Sequence, residues 1–268
     1  MQICGIISEI WCMSFTDHLG NTIELTETPK RIISLVPSQT ELLWDLDLHN
    51  EIVGITKFCI HPQKMFKCKN RVGGTKTIDI DKIRNLKPDL IIGNKEENEH
   101  SQIIELQKEF NVWMSDIYNL NDACKMINDI GELVNKKNES LLISSKIKKS
   151  FSQIKKHNKS VLYLIWKNPY MAAGKLTFIG DLLNEIGLIN CMENSELRYP
   201  ELTLENIKQL NPAVILLSSE PFPFKEKHIA DLQKLIPSAT IQLVDGELFS
   251  WYGSRLLKSA AYFNQLVL

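Results

Sequence analysis

Hydrophobic and polar positions follow one another along the chain in short blocks that predict a repeated strand–helix pattern. Residues 31–36, RIISLV, are a short apolar run rich in β-branched side chains, which is typical of a buried strand. Pro37 cannot continue a central strand, and the leucines that follow recur with the period of a helix. Ser38 and Glu41 have the spacing of a capping box, so the pattern predicts a helix with Ser38 as its N-cap.

The same pattern recurs through the rest of the chain. Further strands are predicted, in chain order, at residues 51–56, 112–116, 160–165 and 240–245. Two segments, 78–94 and 202–219, each predict a helix, a proline break and a strand. Residues 178–188 predict a helix that ends near Gly187, and a last helix runs to the C-terminus.

Two of these segments match each other residue by residue. DKIRNLKPDLIIG (residues 81–93) aligns with ENIKQLNPAVILL (residues 205–217), with isoleucine, leucine and proline at equal spacing. TELLWDLDL (40–48) resembles GDLLNEIGL (180–188) more loosely. The repetition favours two similar α/β lobes. The alternative is that the likeness is the ordinary similarity of short α/β units.

Residues 121–158, between the two halves, have helical apolar spacing and contain no proline. A break is predicted near residues 135–138, followed by a helix of about 20 residues, roughly 30 Å long at 1.5 Å per residue. Such a helix holds two lobes at a fixed separation, and a flexible Gly/Ser or Pro hinge is absent. The predicted domains are an N-terminal lobe (14–120), the helical linker (121–158) and a C-terminal lobe (159–268).

Candidate ligand residues lie in the loops after the strands, because ligands of parallel α/β sheets bind beyond the carboxyl ends of the strands. These loops contain eight of the 21 aromatic residues: Phe58, Trp166, Tyr170, Phe222, Phe224, Phe249, Trp251 and Tyr252. This excess favours a cleft that stacks on a large, flat or apolar ligand. The alternative is that several of them, Phe224 and Phe249 especially, cap the ends of the sheets.

Polar residues in the same loops complete the candidate site. They are Ser38, His61, Lys167, Asn168 and Arg255, with Glu96, Glu97 and Glu247. Arg255 either faces an anionic ligand group or pairs with a surface carboxylate. His61 is either a ligand or metal contact or a hydrogen-bonding loop histidine.

Composition and motifs narrow the function classes. A net charge of −1 argues against a nucleic-acid partner, and no apolar stretch reaches the roughly 18 residues that a membrane span needs. The chain has no G-x-S-x-G, G-x-G-x-x-G, Walker or H-E-x-x-H motif, so no catalytic residue and no catalytic cofactor is predicted.

The six cysteines form no C-x-x-C pair, which favours reduced thiols over disulfides. Cys59, His61 and Cys68 form a C-x-H-x6-C set, an alternative metal site whose spacing departs from the paired ligands of zinc motifs.

The first residues, MQICGIISEIWCMSF, lack the features of a signal peptide. No Lys or Arg precedes Lys30, and Glu9 interrupts the apolar part. Cys12 follows Trp11 rather than a small residue, unlike a lipoprotein site. Taken alone, these residues favour a cytoplasmic protein, with an unusual signal or a different start as the alternative.

Four segments together resemble the substrate-binding proteins of iron-complex and cobalamin ABC importers, the helical-backbone metal receptors. They are RIISLVPSQTELLWDL, IVGITKFCIHP, VGGTKTIDIDKIRNLKPDLIIGNKEEN and DGELFSWYGSRL, and the likeness runs in order from about residue 14 to the C-terminus. It is strongest for cobalamin-binding members. The resemblance implies two Rossmann-like α/β lobes joined by a single long rigid helix, with the ligand in the cleft between the lobes.

The resemblance also implies a ligand and a partner. The expected ligand is a cobalamin-like corrinoid or another metal chelate, such as a ferric siderophore or haem, and the expected partner is an ABC importer permease. Loops that match those of cobalamin-binding members carry Phe58, Trp166, Tyr170, Trp251 and Arg255. Together with the other loop candidates, the predicted ligand-binding set is Ser38, Phe58, His61, Trp166, Tyr170, Phe222, Trp251, Tyr252 and Arg255.

Asp81 and Glu205 correspond to the acidic residues with which family members dock on arginines of the permease. The alternative is that acidic residues simply favour helix N-termini. The resemblance implies a periplasmic or outer-face anchored monomer. Met13 is then an alternative start, because SFTDHLGNTIEL resembles the first hairpin of the family. The alternative functions are a cytosolic corrinoid- or metal-handling protein or enzyme, and a bare-metal binder centred on His61.

Overall fold

A computed structural model of the protein describes residues 13–268. Its strands are β1 (Met13–Thr16), β2 (Thr22–Leu25), β3 (Ile32–Ser34), β4 (Ile52–Ile55), β5 (Asn70–Arg71), β6 (Leu90–Asn94), β7 (Val112–Ser115), β8 (Ser160–Trp166), β9 (Tyr170–Ala172), β10 (Ile189–Asn190), β11 (Glu201–Leu202), β12 (Val214–Ser218) and β13 (Thr240–Val244). Its helices are α1 (Pro37–Asp45), α2 (Gln63–Cys68), α3 (Ile80–Leu86), α4 (His100–Gln107), α5 (Leu120–Leu133), α6 (Lys137–Ser152), α7 (Phe178–Glu185), α8 (Leu204–Leu210), α9 (Glu226–Leu235), α10 (Gly246–Ser250) and α11 (Leu256–Gln265). The predicted α/β class is confirmed.

The described residues divide into two compact units. The first comprises the chain up to Asp116 together with Asp129–Ser140, and the second comprises Ile117–Asn128 and Leu141–Leu268. The hairpin predicted near the start is confirmed, because β1 pairs with β2 in antiparallel register.

The first unit is built on a parallel sheet with the strand order β5-β4-β3-β6-β7. Its central strands β3 and β6 are entirely buried, which explains their continuous apolar sequences. Ile33 and Ile91 pair across these two strands. The same core cluster receives Ile83 from α3 and Leu106 from α4.

The second unit is built on a sheet with the order β11-β9-β8-β12-β13, in which β10 also pairs with β8. Strands β8, β12 and β13 are parallel, whereas β9 returns antiparallel to β8. Leu162 and Ile215 are paired across the centre of this sheet and are fully buried. Hydrophobic burial of such central strands supplies the main favourable free energy of each unit.

The internal repeat is confirmed as a structural repeat. Helix α3 leads into β6 and helix α8 leads into β12, and both strands lie inside their sheets. Both helices end at a left-handed residue, Lys87 with φ 47° and Asn211 with φ 41°. A proline follows each of them, which prevents the helix from continuing.

Two sequence-based details at α1 are wrong. The N-cap of α1 is Val36, which caps without a side-chain hydrogen bond, and Ser38 lies within the first turn. The reason is that Pro37 occupies the first helical position, where its missing N–H leaves no helical hydrogen bond unmade. The capping box of Ser38 and Glu41 is therefore not formed.

The helical segment predicted between the two halves consists of two helices, α5 and α6, of 14 and 16 residues. The predicted break is confirmed, because Asn135 has a left-handed φ of 55°. Within the first unit, Gly131 of α5 lies directly against Ser140 of α6. The second helix, α6, corresponds to the predicted helix of about 20 residues and is 16 residues long.

Candidate functional site

The carboxyl ends of β8, β12 and β13 form one edge of the sheet in the second unit. Because these strands are parallel, the loops that follow them, residues 166–170, 219–225 and 245–255, leave the sheet at the same edge. We call it the carboxyl edge of the second unit. Most of the predicted ligand-binding residues lie there: Trp166, Tyr170, Phe222, Trp251, Tyr252 and Arg255.

Trp166 and Phe222 are brought together at this edge. Trp166 is the last residue of β8 and is 39% exposed. Its ring meets the ring of Phe222 edge-on, with 5.7 Å between the centroids, and Phe222 lies 4.8 Å from the ring of Phe224. Phe224 is buried in the core, so it supports the pair instead of presenting its own ring.

Trp251 is held by charged groups on two sides. The guanidinium carbon of Arg255 lies 4.5 Å from its ring centroid, within cation–π distance. Its Nε1–H donates to Oε1 of Glu220 over 3.1 Å. Arg255 is itself 2.7 Å from Oε2 of Glu247, and both of these side chains are largely buried. Arg255 therefore has a carboxylate partner, and that partner lies inside the site.

Glu220 is a site residue that the sequence analysis missed. Its Oε1 also accepts a hydrogen bond of 2.9 Å from the hydroxyl of Ser250. Burial raises the pKa of the Glu220 carboxyl group, the bond from Ser250 lowers it, and the nearby charge of Glu247 raises it. In the sequence, Glu220 is recognisable as the one carboxylate in the otherwise apolar loop SEPFPF, which directly follows a buried strand.

The remaining aromatic candidates of this edge are buried. Tyr170 lies in β9 and is 8% exposed, with the ammonium group of Lys167 at 5.9 Å from its ring centroid. Burial raises the pKa of the Tyr170 hydroxyl, and the charge of Asp231 raises it further. Tyr252 packs edge-on against Phe178 at 5.8 Å.

Phe249 is fully buried and lies between Tyr163 and Phe263 in tilted ring contacts, with centroids at 5.0 and 4.6 Å. The alternative of a core role for Phe224 and Phe249 is therefore the correct one. The ring most accessible at this edge belongs to Trp166.

The first unit has its own carboxyl edge, after β3, β4 and β6. Phe58 lies in the loop after β4, is 49% exposed, and has the ammonium group of Lys57 at 5.0 Å from its ring centroid. His61 lies in the same loop and is partly buried. Ser38 is only 4% exposed. Phe58 is thus the predicted ligand residue of this unit with an open ring face.

A buried polar network lies beneath this edge and was also missed. The Gln39 side chain donates from Nε2 to the Ser115 hydroxyl, and Asn94 donates to the same hydroxyl over 3.0 Å. Asn98 accepts from the backbone N–H of Asn94 over 2.9 Å. These residues join the ends of β6 and β7 to the start of α1, which fixes the loops of this edge.

The alternative metal site is not assembled. Cys59 is fully buried between the hydroxyls of Thr40 and Thr56, at 3.2 and 3.1 Å, and burial raises the pKa of its thiol. Cys68 is exposed. Across residues 13–268, no three His, Cys, Asp or Glu side chains are grouped so that they hold a metal ion.

Asp81 and Glu205 occupy equivalent positions. Each is the second residue of its helix, after the N-caps Asp79 and Thr203. Asp81 is bonded to Arg84, with Nη1 2.9 Å from Oδ1, and its side chain is 86% exposed. Glu205 is also exposed, and a long 3.5 Å contact reaches it from the side-chain amide of Gln209.

Arg84 also contacts the carboxylates of Glu105 and Glu109, at 3.1 and 2.6 Å. Bonds from Arg84 lower the pKa of Glu109, so that carboxylate stays ionised. The two acidic residues therefore have different surroundings.

The second unit also contains an open cavity of about 510 Å³ away from the predicted ligand residues. Its lining includes Lys175, Asp181, Asn184 and Glu193. Asp181 accepts the backbone N–H of Leu120 over 2.8 Å, and burial raises the pKa of its carboxyl group. None of the predicted ligand-binding residues lines this cavity.

Comparison with known proteins identifies the family to which this fold belongs. The family model described as "Periplasmic binding protein" matches residues 32–244, which cover both sheets. The chain belongs to this family. The resemblance inferred from its four sequence segments is thereby confirmed.

Several relatives extend the comparison. An uncharacterized ABC transporter substrate-binding lipoprotein, YvrC of Bacillus subtilis, is 27% identical over 78% of this chain and 70% of its own length. The vitamin B12-binding protein of Vibrio cholerae is 24% identical, over 70% of each chain. The heme uptake protein IsdE of Staphylococcus aureus is 25% identical, over 72% of this chain and 69% of its own.

Solved structures share the fold. The periplasmic vitamin B12 binding protein BtuF of Vibrio cholerae superposes with a TM-score of 0.72 at 21% identity, covering 88% of this chain and 95% of that one. The periplasmic heme-binding protein BhuT, solved with two hemes, gives a TM-score of 0.77 at 16% identity, covering 89% and 97%. The predicted two-lobe α/β architecture is therefore confirmed at the level of fold.

Family membership makes the chain a solute-binding protein of an ABC importer and not an enzyme. It implies a small-molecule ligand, a permease partner and an extracytoplasmic location. The cytoplasmic interpretation depended on the first dozen residues, which lie outside the described ones. Among the helices that the structure describes, none has the length and apolar character needed to cross a bilayer.

Proposed function

We propose that this protein binds a cobalamin-like corrinoid, or another metal chelate such as haem or a ferric siderophore, and delivers it to the permease of an ABC importer. The observation that carries the proposal is the arrangement around Trp251. Arg255 and Glu220 fix its indole at the same sheet edge that carries the exposed ring of Trp166.

Flat, bulky ligands suit such a surface. A corrin or porphyrin ring presents a large apolar face to aromatic side chains and polar substituents at its rim. The Trp166–Phe222 pair offers the apolar contact, and Arg255, 4.5 Å from the Trp251 ring centroid, offers a cation for an anionic or amide substituent. The relatives support this ligand class, since they include a vitamin B12-binding protein and a heme uptake protein.

We propose the same class of contact for the first unit. Phe58 offers an open ring, whereas Ser38 and His61 supply polar contacts at the edge of the ligand. Residues 14–120 and 159–268 act as the two lobes and residues 121–158 as the linker. A ligand that stacks on fixed aromatic side chains needs little rearrangement of the protein, which limits the entropic cost of binding.

We further propose that Asp81 and Glu205 dock on basic residues of the permease. Both are exposed carboxylates at equivalent places of a structural repeat. One carboxylate in each unit fits a permease built from two similar halves, since each half then offers one arginine. The test is to measure how far the ligand-loaded protein stimulates the ATPase activity of the permease. If both acidic residues dock, Asp81→Lys and Glu205→Lys each abolish this stimulation.

The ligand proposal is tested by calorimetric titration of the purified chain with cyanocobalamin, haemin and a ferric siderophore. The expected result is saturable, one-to-one binding of one of them, weakened about 10- to 100-fold by Trp166→Ala or Trp251→Ala, which corresponds to about 1–3 kcal/mol. Trp44→Ala is the matched control, because Trp44 stacks on His49 at 3.8 Å near the C-terminal end of α1. Unchanged affinity in both test variants contradicts the proposed site.

A further inference from the structure

One segment of the chain carries a strong excess of positive charge. Residues 140–180 contain eight lysines and no aspartate or glutamate, although the whole chain has a net charge of −1. Six of these lysines, all exposed, lie within 14 residues: Lys146, Lys148, Lys149, Lys155, Lys156 and Lys159. We call residues 146–159 the lysine segment.

The fold fixes the lysine segment in place. Helix α6 turns Ser144, Ile147 and Phe151 into the protein, so its lysines point away from the buried face. Beyond the helix, the backbone N–H of Lys155 donates to Oδ1 of Asn264 over 2.9 Å, and that of Asn158 donates to the carbonyl of Gly187 over 2.7 Å. The positive charges therefore sit on an ordered surface and not on a loose tail.

Most of this charge is not neutralised inside the protein. Within residues 13–268, no ion pair of the structure includes Lys146, Lys149, Lys155 or Lys159. The ammonium group of Lys156 donates to the backbone carbonyl of Glu185. Four uncompensated ammonium groups close together repel one another, and a negatively charged partner relieves that repulsion.

The lysine segment lies at the opposite edge of the sheet from the ligand residues of the second unit. Strand β8 starts at Ser160, directly after the segment, and ends at Trp166. Glu205 also lies toward the Trp166 side, because Leu202 pairs with Tyr170 just before α8 begins. A partner on the lysine segment therefore leaves the carboxyl edge and Glu205 accessible.

We propose that the lysine segment is a docking surface for a bilayer that contains anionic phospholipids. Its amphipathic character supports this partner: Leu141 and Leu142, in the first turns of α6, are 41% and 56% exposed, and Leu142 shares a helix face with Lys146 and Lys149. Leucines beside lysines on an exposed helix face are typical of helices that lie on a membrane surface. Lysine stems also reach headgroup phosphates while their methylene groups stay in apolar contact.

Two features favour a lipid surface over other polyanions. The segment contains no tyrosine or tryptophan for stacking on nucleic-acid bases, its one phenylalanine, Phe151, is buried, and His157 is partly buried. The neighbouring cavity contains Asp181 and Glu193, which repel a phosphate, so binding depends on surface charge and not on one headgroup. The proposal goes beyond ligand binding and does not require the ligand to be known.

The test is co-sedimentation of the full chain with vesicles of phosphatidylcholine, with and without phosphatidylglycerol. The quadruple variant Lys146→Gln, Lys149→Gln, Lys155→Gln, Lys159→Gln removes the charges of the segment. A matched control, Lys64→Gln, Lys67→Gln, Lys227→Gln, Lys234→Gln, removes the same number of exposed lysines from α2 and α9. A third variant, Leu142→Ser, separates the apolar contribution from the electrostatic one.

The unmodified chain is expected to bind vesicles that contain phosphatidylglycerol and not vesicles of phosphatidylcholine alone. This binding is expected to disappear at about 1 M salt, because the Debye length is then about 3 Å and the charges are screened. The quadruple variant binds roughly 600-fold more weakly, since each of the four lysines near an anionic surface contributes roughly fivefold. The matched control stays within about fivefold of the unmodified chain. Vesicles that contain cardiolipin or phosphatidylserine at the same charge density are expected to bind the chain as phosphatidylglycerol vesicles do.

Three results overturn the proposal: no binding of the unmodified chain, equal losses in the quadruple variant and the control, or binding to soluble polyphosphate without binding to vesicles. Circular dichroism of each variant establishes that it is folded. Because the lysine segment and Trp166 lie at opposite sheet edges, ligand titration of the quadruple variant is unaffected if both proposals are correct.

Discussion

The guanidinium carbon of Arg255 lies 4.5 Å from the ring centroid of Trp251, and the same arginine is held by Glu247 at 2.7 Å. One side chain thus links an aromatic ring to a buried carboxylate. The indole N–H of Trp251 reaches a second carboxylate, Glu220. The orientation of this ring is therefore set by charged neighbours as well as by packing.

Removal of the Arg255 guanidinium is expected to weaken ligand binding. Arg255→Ala lowers affinity roughly 10-fold or more, since a desolvated cation–π contact contributes up to about 2 kcal/mol. Arg255→Lys retains the charge but not the flat stacking on the Trp251 ring, so its ligand affinity is expected between that of the unmodified chain and that of Arg255→Ala. Calorimetry with the bound chelate measures both. Arg71→Ala is the control, because Arg71 lies over Phe66 at the same 4.5 Å in the first unit. Equal losses in Arg71→Ala and Arg255→Ala contradict the assignment.

Glu220 is expected to make stability depend on pH. Because its pKa is raised in the folded protein, the folded state holds this proton more tightly than the unfolded state does. Its contribution to stability is thus present at low pH and is lost as pH rises from the ordinary glutamate range through the raised pKa. Glu220→Gln removes the charge and keeps an oxygen acceptor for Trp251. The variant should have a higher Tm than the unmodified chain at neutral pH, with a difference that disappears in acid. Glu205→Gln, at an exposed position, is the control.

If the Tm difference for Glu220→Gln is the same at neutral and acid pH, the variant acts through packing and not through the carboxyl proton. Tryptophan fluorescence reports whether Trp251 keeps its environment.

Gly131→Ala is expected to destabilise the protein. Alanine normally favours a helix by about 1 kcal/mol over glycine, but a Cβ at this position overlaps the side chain of Ser140. Overpacking of this kind costs about 1–3 kcal/mol, so the net effect is a lower denaturation midpoint in urea. The double variant Gly131→Ala, Ser140→Gly removes the overlap and should recover most of the loss. Failure of this rescue contradicts direct contact between α5 and α6.

The two proposed docking acids are expected to contribute unequally. Asp81 shares Arg84 with Glu105 and Glu109, so its carboxylate is partly neutralised before it meets a permease arginine. Within residues 13–268, the Glu205 carboxylate has the long contact with Gln209 and no ion pair. Glu205→Gln should therefore reduce permease ATPase stimulation more than Asp81→Asn does. Arg84→Met should strengthen the contribution of Asp81, and a larger effect of Asp81→Asn than of Glu205→Gln contradicts this order.

The structural repeat is a part of the fold that the sequence predicts correctly. Equal spacing of isoleucine, leucine and proline after Asp81 and after Glu205 predicts helix, break and strand, and the structure has α3–β6 and α8–β12 there. Such local patterns are reliable because proline and the apolar period act within a few residues. At α1 the same logic failed, since Pro37 occupies the first helical position and the N-cap is Val36, two residues before Ser38.

The sequence by itself determined the strand–helix order, the break near Asn135, the repeat and the family. It also placed Trp166, Trp251 and Arg255 at the carboxyl end of a strand or in the loop that follows one, because parallel strands send their following loops to one edge. Only the tertiary structure decided that Glu220 meets Trp251, that Glu247 holds Arg255, and that Phe249 belongs to the core. Those contacts join residues far apart in the chain or depend on the direction of a side chain. A local sequence pattern encodes neither the long-range contacts nor the side-chain directions, because both are set by the packing of whole helices and strands.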